Sequence, residues 1–220
     1  MNTDERAINL ITSLVLEELK NAGATISNSY DVPVGVSNRH IHLSKSDMDT
    51  LFGYGYKLNK IKDLNQPGEY ACKEVVDIYF NDRSIKKVRI LGPIRKQTQV
   101  EISSSDARKL RANPPVRGSG KLDGSSPITI VGPKDKVDLK QGLIIANRHI
   151  HLTPRDAERV GLKDNQVVSV KVCGEKGGVF DNVCCRVSPN YFFEMHIDTD
   201  DASAFGISNN DRVEIIKNKD

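Results

Sequence analysis

From Val32 onward, apolar and polar residues alternate in short runs bounded by Gly, Pro, Asn and Asp. The clearest are EVVDIYF, KKVRILG, TQVEIS, PITIVG, GLIIANRHIHL, QVVSVKV, NVCCRVS and RVEII. A period of two puts apolar side chains on one face of a strand and polar ones on the other, and the β-branched Val and Ile suit that surface. Many short strands with few long helices predict a mainly β protein of barrels or sandwiches with short capping helices. The N-terminal stretch differs. Ala7, Ile8, Ile11, Leu14, Val15 and Leu19 recur at helical spacing, with Asp4 as a cap and Gly23 as a stop, ahead of the polar linker ATISNSYD. Such an amphipathic helix either packs on its own domain or docks on a partner.

Two segments read as a short capped helix, a glycine stop, a polar turn and a strand: DAERVGLKDNQVVSVKV from Asp156 and DASAFGISNNDRVEII from Asp201. They suggest duplicated barrels, and SSSDARKL around Asp106 adds a further helix of this kind.

The chain has 220 residues, 38% apolar and 28% charged, enough for one large domain or two small ones with a sizeable core. Tryptophan is absent, so that core is aliphatic. A net charge of +3 without a basic, aromatic-interleaved cluster argues against nucleic acid and tolerates an anionic substrate. No run has the length and apolarity of a membrane span or signal peptide. Cys72, Cys173, Cys184 and Cys185 form no CxxC pair and read as buried free thiols in a reducing cytoplasm.

Chemistry concentrates in a repeated hexapeptide. NRHIHL occurs at Asn38–Leu43 and again at Asn147–Leu152, and the two copies hold His40, His42, His149 and His151, four of the five histidines. His-x-His on a strand puts both imidazoles on one face, where they can share one metal ion or reach two adjacent ions, while Ile41 and Ile150 face a core. A purely structural repeat needs the Ile and Leu but not both histidines. The fifth, His196, alternates with Glu194 and Asp198 in FFEMHIDTD, as on a strand whose polar face meets the site. Imidazole sets of this kind suit zinc or a similar borderline metal. In RILGPIRKQTQVEIS, an extended run from Arg95 puts Arg95, Gln97, Gln99 and Glu101 on one face. Arg95 then offers a bidentate fork for phosphate and Glu101 an oxygen ligand. The loop RANPPVRGSGKLDGSSP carries Arg117 and Lys121, which either face a phosphate or are solvated.

Together VPVGVSNRHIHLS, RILGPIRKQTQVEIS, PVRGSG with ITIVGP, IIANRHIHLTPRDAERVGL and MHIDTDDA resemble the PduL-type phosphotransacylases, the phosphate propanoyltransferases, from about Val32 to Ile216. The resemblance implies acyl transfer between coenzyme A and inorganic phosphate at a dinuclear zinc centre between two interleaved β-barrels, in a homodimer. It assigns residues 31–38 and 147–220 to one barrel and 39–146 to the other, with 1–30 as an N-terminal helix and linker. It implies one zinc held by His40, His42 and Glu101, a second by His149, His151 and His196, and phosphate on Arg95. Val36, Ser37, Asn38, Arg89 and Ser203 fall on coenzyme A contacts. Ser203 stands where the family commonly has Asn, and Asp82 where a basic residue is frequent, with Arg83 beside it. In this family such N-terminal segments often direct the enzyme from the cytoplasm into a bacterial microcompartment, through its shell or core enzymes.

The expected reaction is acyl-CoA + phosphate ⇌ acyl phosphate + CoA, with propanoyl or acetyl as the acyl group. The alternatives are a zinc-dependent thioesterase or other hydrolase, which would release CoA without phosphate, and a non-catalytic zinc-stabilised scaffold.

Overall fold

Alternating sequence of this kind closes on itself to remove exposed strand edges. The computed structural model describes Ile11, Leu14, Val15, Glu18 and residues 30–216. Those first four are helical, and Ile11, Leu14 and Val15 are exposed. The expected cap at Asp4, the stop at Gly23 and the linker lie outside the described residues. The chain then runs through β1 (Tyr30–Ser37), β2 (His40–His42), α1 (Lys45–Phe52), β3 (Lys60–Asp63), β4 (Tyr70–Phe80), β5 (Arg83–Gly92) and β6 (Gln99–Glu101). It continues through α2 (Ser104–Leu110), β7 (Val116–Arg117), β8 (Ser126–Val131), β9 (Lys136–Ala146), β10 (His149–Leu152) and α3 (Pro154–Val160). It ends with β11 (Val167–Val172), β12 (Gly178–Val187), β13 (Glu194–Asp198), α4 (Thr199–Phe205) and β14 (Arg212–Ile216).

Two six-stranded barrels result. In the C-terminal barrel the order is β1-β13-β10-β12-β11-β14, closed. In the central barrel β4, β5, β2, β6, β9 and β8 pair in turn, and β8 returns to β4. The two rings have the same pattern. In each, the HIH strand lies antiparallel to the next site strand (β2 with β6, β10 with β13) and parallel to another (β5, β12). The central barrel uses β9 beside β6, and the C-terminal barrel fills the matching place beside β13 with β1, parallel in both cases.

The chain therefore changes barrel twice, each time at an Asn-Arg: between β1 and β2 and between β9 and β10. GLIIANRHIHL, which reads as one strand, is broken there into two. The arginines are pinned alike. Arg39 donates to both carboxylate oxygens of the buried Asp106 on α2 at 2.5 and 3.1 Å, and Arg148 donates to Asp201 on α4 at 2.8 Å. The residue after each HIHL caps the next helix: Ser44 accepts from the Asp47 amide, and Thr153 forms a capping box with Asp156. Gly161 and Gly206 end α3 and α4 in the left-handed conformation their missing Cβ permits. The DAERVG and DASAFG helices are not counterparts; α4 matches α2 in position and arginine partner, so the true pair is Asp106-Ala107 with Asp201-Ala202. The former two look alike because helix entry has common local solutions, and both helices start two residues before the Asp-Ala.

Ile41, Ile90, Val100 and Leu143 are fully buried in the central barrel, and Ile150, Val170, Val183 and Met195 in the other. Each such side chain contributes about 1.5–3 kcal/mol by leaving water. Among the described residues no helix is long and apolar enough to cross a membrane.

Candidate active site

Period-two geometry turns Ile41 and Ile150 inward and sends each histidine pair to the opposite face. Register then supplies the third member: β2 against β6 sets His40 opposite Glu101, and β10 against β13 sets His149 opposite His196. Two clusters form, His40–His42–Glu101 and His149–His151–His196, in each of which one potential ligand atom per residue lies within 4.8 Å of the others. Both open onto one cavity of about 600 Å³.

The hydrogen bonds orient the rings. His40 Nδ1 lies 2.8 Å from the Asn38 carbonyl, and His149 Nδ1 lies 2.8 Å from the Asn147 carbonyl. A carbonyl only accepts, so each Nδ1 carries a proton, and Nε2 is the ring nitrogen left for the cluster. His196 is turned the other way: its Nε2–H donates to Glu194 at 2.7 Å, so in the neutral ring the lone pair lies on Nδ1. In both copies the second histidine, His42 or His151, has a buried Nδ1 without a hydrogen-bond partner. Burial, then neighbouring His40 and Arg95, hold His42 well below the usual histidine range. Burial, then Arg186, His196 and His151, do the same to His149. His151 is pulled down to about 3 by burial, then His196 and Arg186.

These residues fit a metal. Buried neutral imidazoles with orphaned lone pairs call for a cation. His40 Nε2 and Glu101 Oε2 sit 3.6 Å apart. Ligands about 2.0–2.2 Å from a tetrahedral zinc are themselves roughly 3.4 Å apart.

The outer hydrogen bonds repeat with reversed polarity. Opposite His42 stands Gln99, and opposite His151 stands Glu194. Gln99 donates to Glu101, whereas Glu194 accepts from His196. Burial pushes the Glu194 carboxyl up, but hydrogen bonds from His196, Asn65 and Gln66 outweigh it, and the group stays ionised below the ordinary range. Gln99 is braced by its own barrel: it donates to Ser119 Oγ at 2.8 Å and accepts from the Gly120 amide at 2.6 Å.

Arg95 joins two loops. Its Nη1 donates to Ser119 Oγ at 3.0 Å and its Nη2 to Glu69 Oε1 at 2.9 Å. It lines the cavity together with a second guanidinium, Arg186. Gly118 admits Arg186, since a Cβ there would lie 2.8 Å from Nη2. Tyr191 stacks on His151 with ring centroids 4.0 Å apart.

The structure brings Val36, Ser37, Asn38, Arg95 and all six ligand candidates to the cavity wall. Other expected positions fall elsewhere. Arg89 donates to the Cys72 and Lys73 carbonyls at 2.9 and 2.8 Å and does not line the cavity. Ser203 is exposed on α4, away from it. The extended face from Arg95 to Glu101 is broken: only Gln99–Glu101 is strand, and the bend at Lys96–Gln97 turns Gln97 to solvent. The bend arises because Arg95 pairs with the chain beside β2, its amide donating to the Leu43 carbonyl, before the chain enters β6. Arg117 and Lys121 are exposed and outside the cavity, while Ser119 between them lines it. Asp82 and Arg83 face each other on the surface at 3.5 Å.

Only two cysteines are buried. Burial raises Cys72 to about 11 and Cys185 to about 12, whereas Cys173, in the turn after β11, is exposed and Cys184 is half-buried. Sequence reasoning missed Asn65, Gln66, Glu69, Arg186 and Tyr191. Those on the DLNQPGEY loop look like turn residues, and only the fold carries that loop to the other barrel.

A family model described as phosphate propanoyltransferase matches residues 33–208. Proteins named phosphate propanoyltransferase are similar over nearly the whole chain. The one from Thermotoga maritima is 45% identical, covering 94% of this chain and 100% of its own. That from Lachnoclostridium phytofermentans is 49% identical over 93% and 96%, and that from Rhodopseudomonas palustris 43% identical over 99% and 100%.

Proposed function

This chain belongs to the phosphate propanoyltransferase family, a family of phosphotransacylases, and we propose that it transfers a propanoyl or acetyl group between coenzyme A and phosphate at a pair of zinc ions. The observation that carries the proposal is the single cavity onto which both three-residue clusters and Arg95 open.

His40, His42 and Glu101 would hold one zinc, and His149, His151 and His196 the other. Bound there, zinc would supply Lewis-acid polarisation of the thioester carbonyl and neutralise negative charge on sulfur and phosphate oxygen. The remaining work falls to the chain. Arg95 offers phosphate a planar fork of donors, and phosphate then replaces the Glu69 carboxylate on Nη2. Ser119 holds the other side of the guanidinium, so the fork is aimed before substrate arrives. Its charge offsets that of phosphate as a phosphate oxygen attacks the thioester carbon; the C–S bond breaks and the electron pair leaves on sulfur. Val36, Ser37 and Asn38 form the wall offered to coenzyme A. Position and electrostatics supply the rate, and no covalent acyl-enzyme is required. Family resemblance supports two further parts of the proposal: a homodimer, and association with a microcompartment through residues 1–30.

The test is CoA release from propanoyl-CoA, followed with a thiol reagent, with and without phosphate. Release that depends on phosphate, and its loss of at least 100-fold in Arg95→Ala with metal content unchanged, is expected. Equal release without phosphate would make the enzyme a hydrolase instead.

A further inference from the structure

Glu194 is 3% exposed, and the neighbours of its carboxyl group come from three elements. Its Oε2 accepts from His196 Nε2 at 2.7 Å. Its Oε1 accepts from Asn65 Nδ2 at 2.6 Å, and Oε2 also lies 3.3 Å from Gln66 Nε2. Gly35 on β1 closes the third side, where a Cβ would come within 3.0 Å of the carboxyl carbon.

Asn65 and Gln66 sit on the loop between β3 and β4, which belongs to the central barrel, whereas Glu194 and His196 lie on β13 of the other. Gln66 is 5% exposed and is itself clamped: its Nε2 donates to the Phe192 carbonyl at 3.1 Å and its Oε1 accepts from the Phe192 amide at 3.1 Å. Among the described residues no equivalent pair crosses to the first cluster, whose Gln99 is braced by Ser119 and Gly120 of its own barrel.

We propose that Asn65 and Gln66 are positioning residues for the His149–His151–His196 cluster, acting across the barrel boundary: they fix the Glu194 carboxylate, which fixes the His196 ring and turns its Nδ1 to the cluster. The proposal rests on reading that cluster as a metal site. A hydrogen-bonded carboxylate behind a ligating histidine orients the ring and raises its basicity, and loss of such a partner costs about 10–100-fold in metal affinity. The loop thus makes the second cluster depend on both barrels, while the first depends on one.

The experiment is zinc titration of the full chain against a chromogenic chelator. The parent protein is expected to bind two zinc ions, and His196→Ala to abolish one of them, which identifies that site. Asn65→Ala combined with Gln66→Ala should weaken that site about 10–100-fold and leave the other unchanged. Glu194→Gln sets an amide against the Asn65 amide and should weaken it also. Adding Asn65→Asp to Glu194→Gln restores a donor–acceptor pair in reversed sense and should recover at least part of the affinity. Parent-like binding at both sites in the double alanine variant would overturn the proposal. If that variant weakens both sites together through a folding defect, the reciprocal pair decides, and absence of recovery overturns it. A parent protein that binds no zinc at the second site would instead overturn the metal reading itself.

Discussion

Acidifying the metal-free protein tests whether the cluster histidines are held as neutral ligands. Burial, reinforced by His196 and Arg186, pulls His151 from 6.5 down to about 3. A histidine depressed in the fold binds protons more readily when unfolded. Its stabilisation is therefore complete above 6.5 and is lost as pH falls from 6.5 toward 3. At pH 5 the unfolded ring is about 1.5 pH units below its own pKa while the folded ring is still neutral. At roughly 1.4 kcal/mol per unit, His151 alone removes about 2 kcal/mol of stability between pH 7 and pH 5. His42 and His149 are depressed by burial in the same direction, so the total loss is larger. Urea unfolding of chelator-treated protein at the two pH values, followed by far-ultraviolet circular dichroism, measures it as a fall in midpoint at constant m. His151→Phe keeps a ring to stack on Tyr191 but cannot titrate, so it should lose about 2 kcal/mol less than the parent over the same interval. Equal losses in parent and variant would refute the reasoning.

Gly35→Ala should lower phosphate-dependent activity at least tenfold with little change in melting temperature, because the new Cβ presses on the Glu194 carboxylate at 3.0 Å rather than on the core; unchanged turnover would count against Glu194 as a support of the site. Ile150→Ala removes a fully buried side chain and should cost about 2–5 kcal/mol in denaturant unfolding. Arg39→Met leaves Asp106, 2% exposed, with Lys109 at 3.0 Å as its one remaining charged partner among the described residues, and should destabilise the fold by about 1–3 kcal/mol. A melting temperature within a degree of the parent would show that the Arg39–Asp106 pair is dispensable.

Sequence by itself determined the elements that rest on local periodicity. Alternation marked most of the strands, the glycines at 161 and 206 marked two helix ends, and the doubled His-x-His put each pair of imidazoles on one face with Ile41 or Ile150 behind it. Those are short-range consequences of a period of two or of a missing Cβ, so they are legible from neighbours along the chain. What lay beyond reach depends on contacts distant in sequence. Nothing in the periodicity of Arg95–Glu101 shows that the chain bends at Lys96–Gln97, because the bend is set by pairing with the segment after β2. Nothing local distinguishes Asn65 and Gln66 from ordinary turn residues, since their partner Glu194 is 128 or more positions away. Periodicity does not show that β1 completes the C-terminal barrel or that the chain crosses between barrels at each Asn-Arg; the family resemblance implied that division, and strand pairing in the fold carries it, with register setting Glu101 beside His40 but His196 beside His149. Register is a property of paired strands, and it is chosen by burying both apolar faces at once. That is why the repeat announces two related halves, whereas the difference between them is written only in the fold.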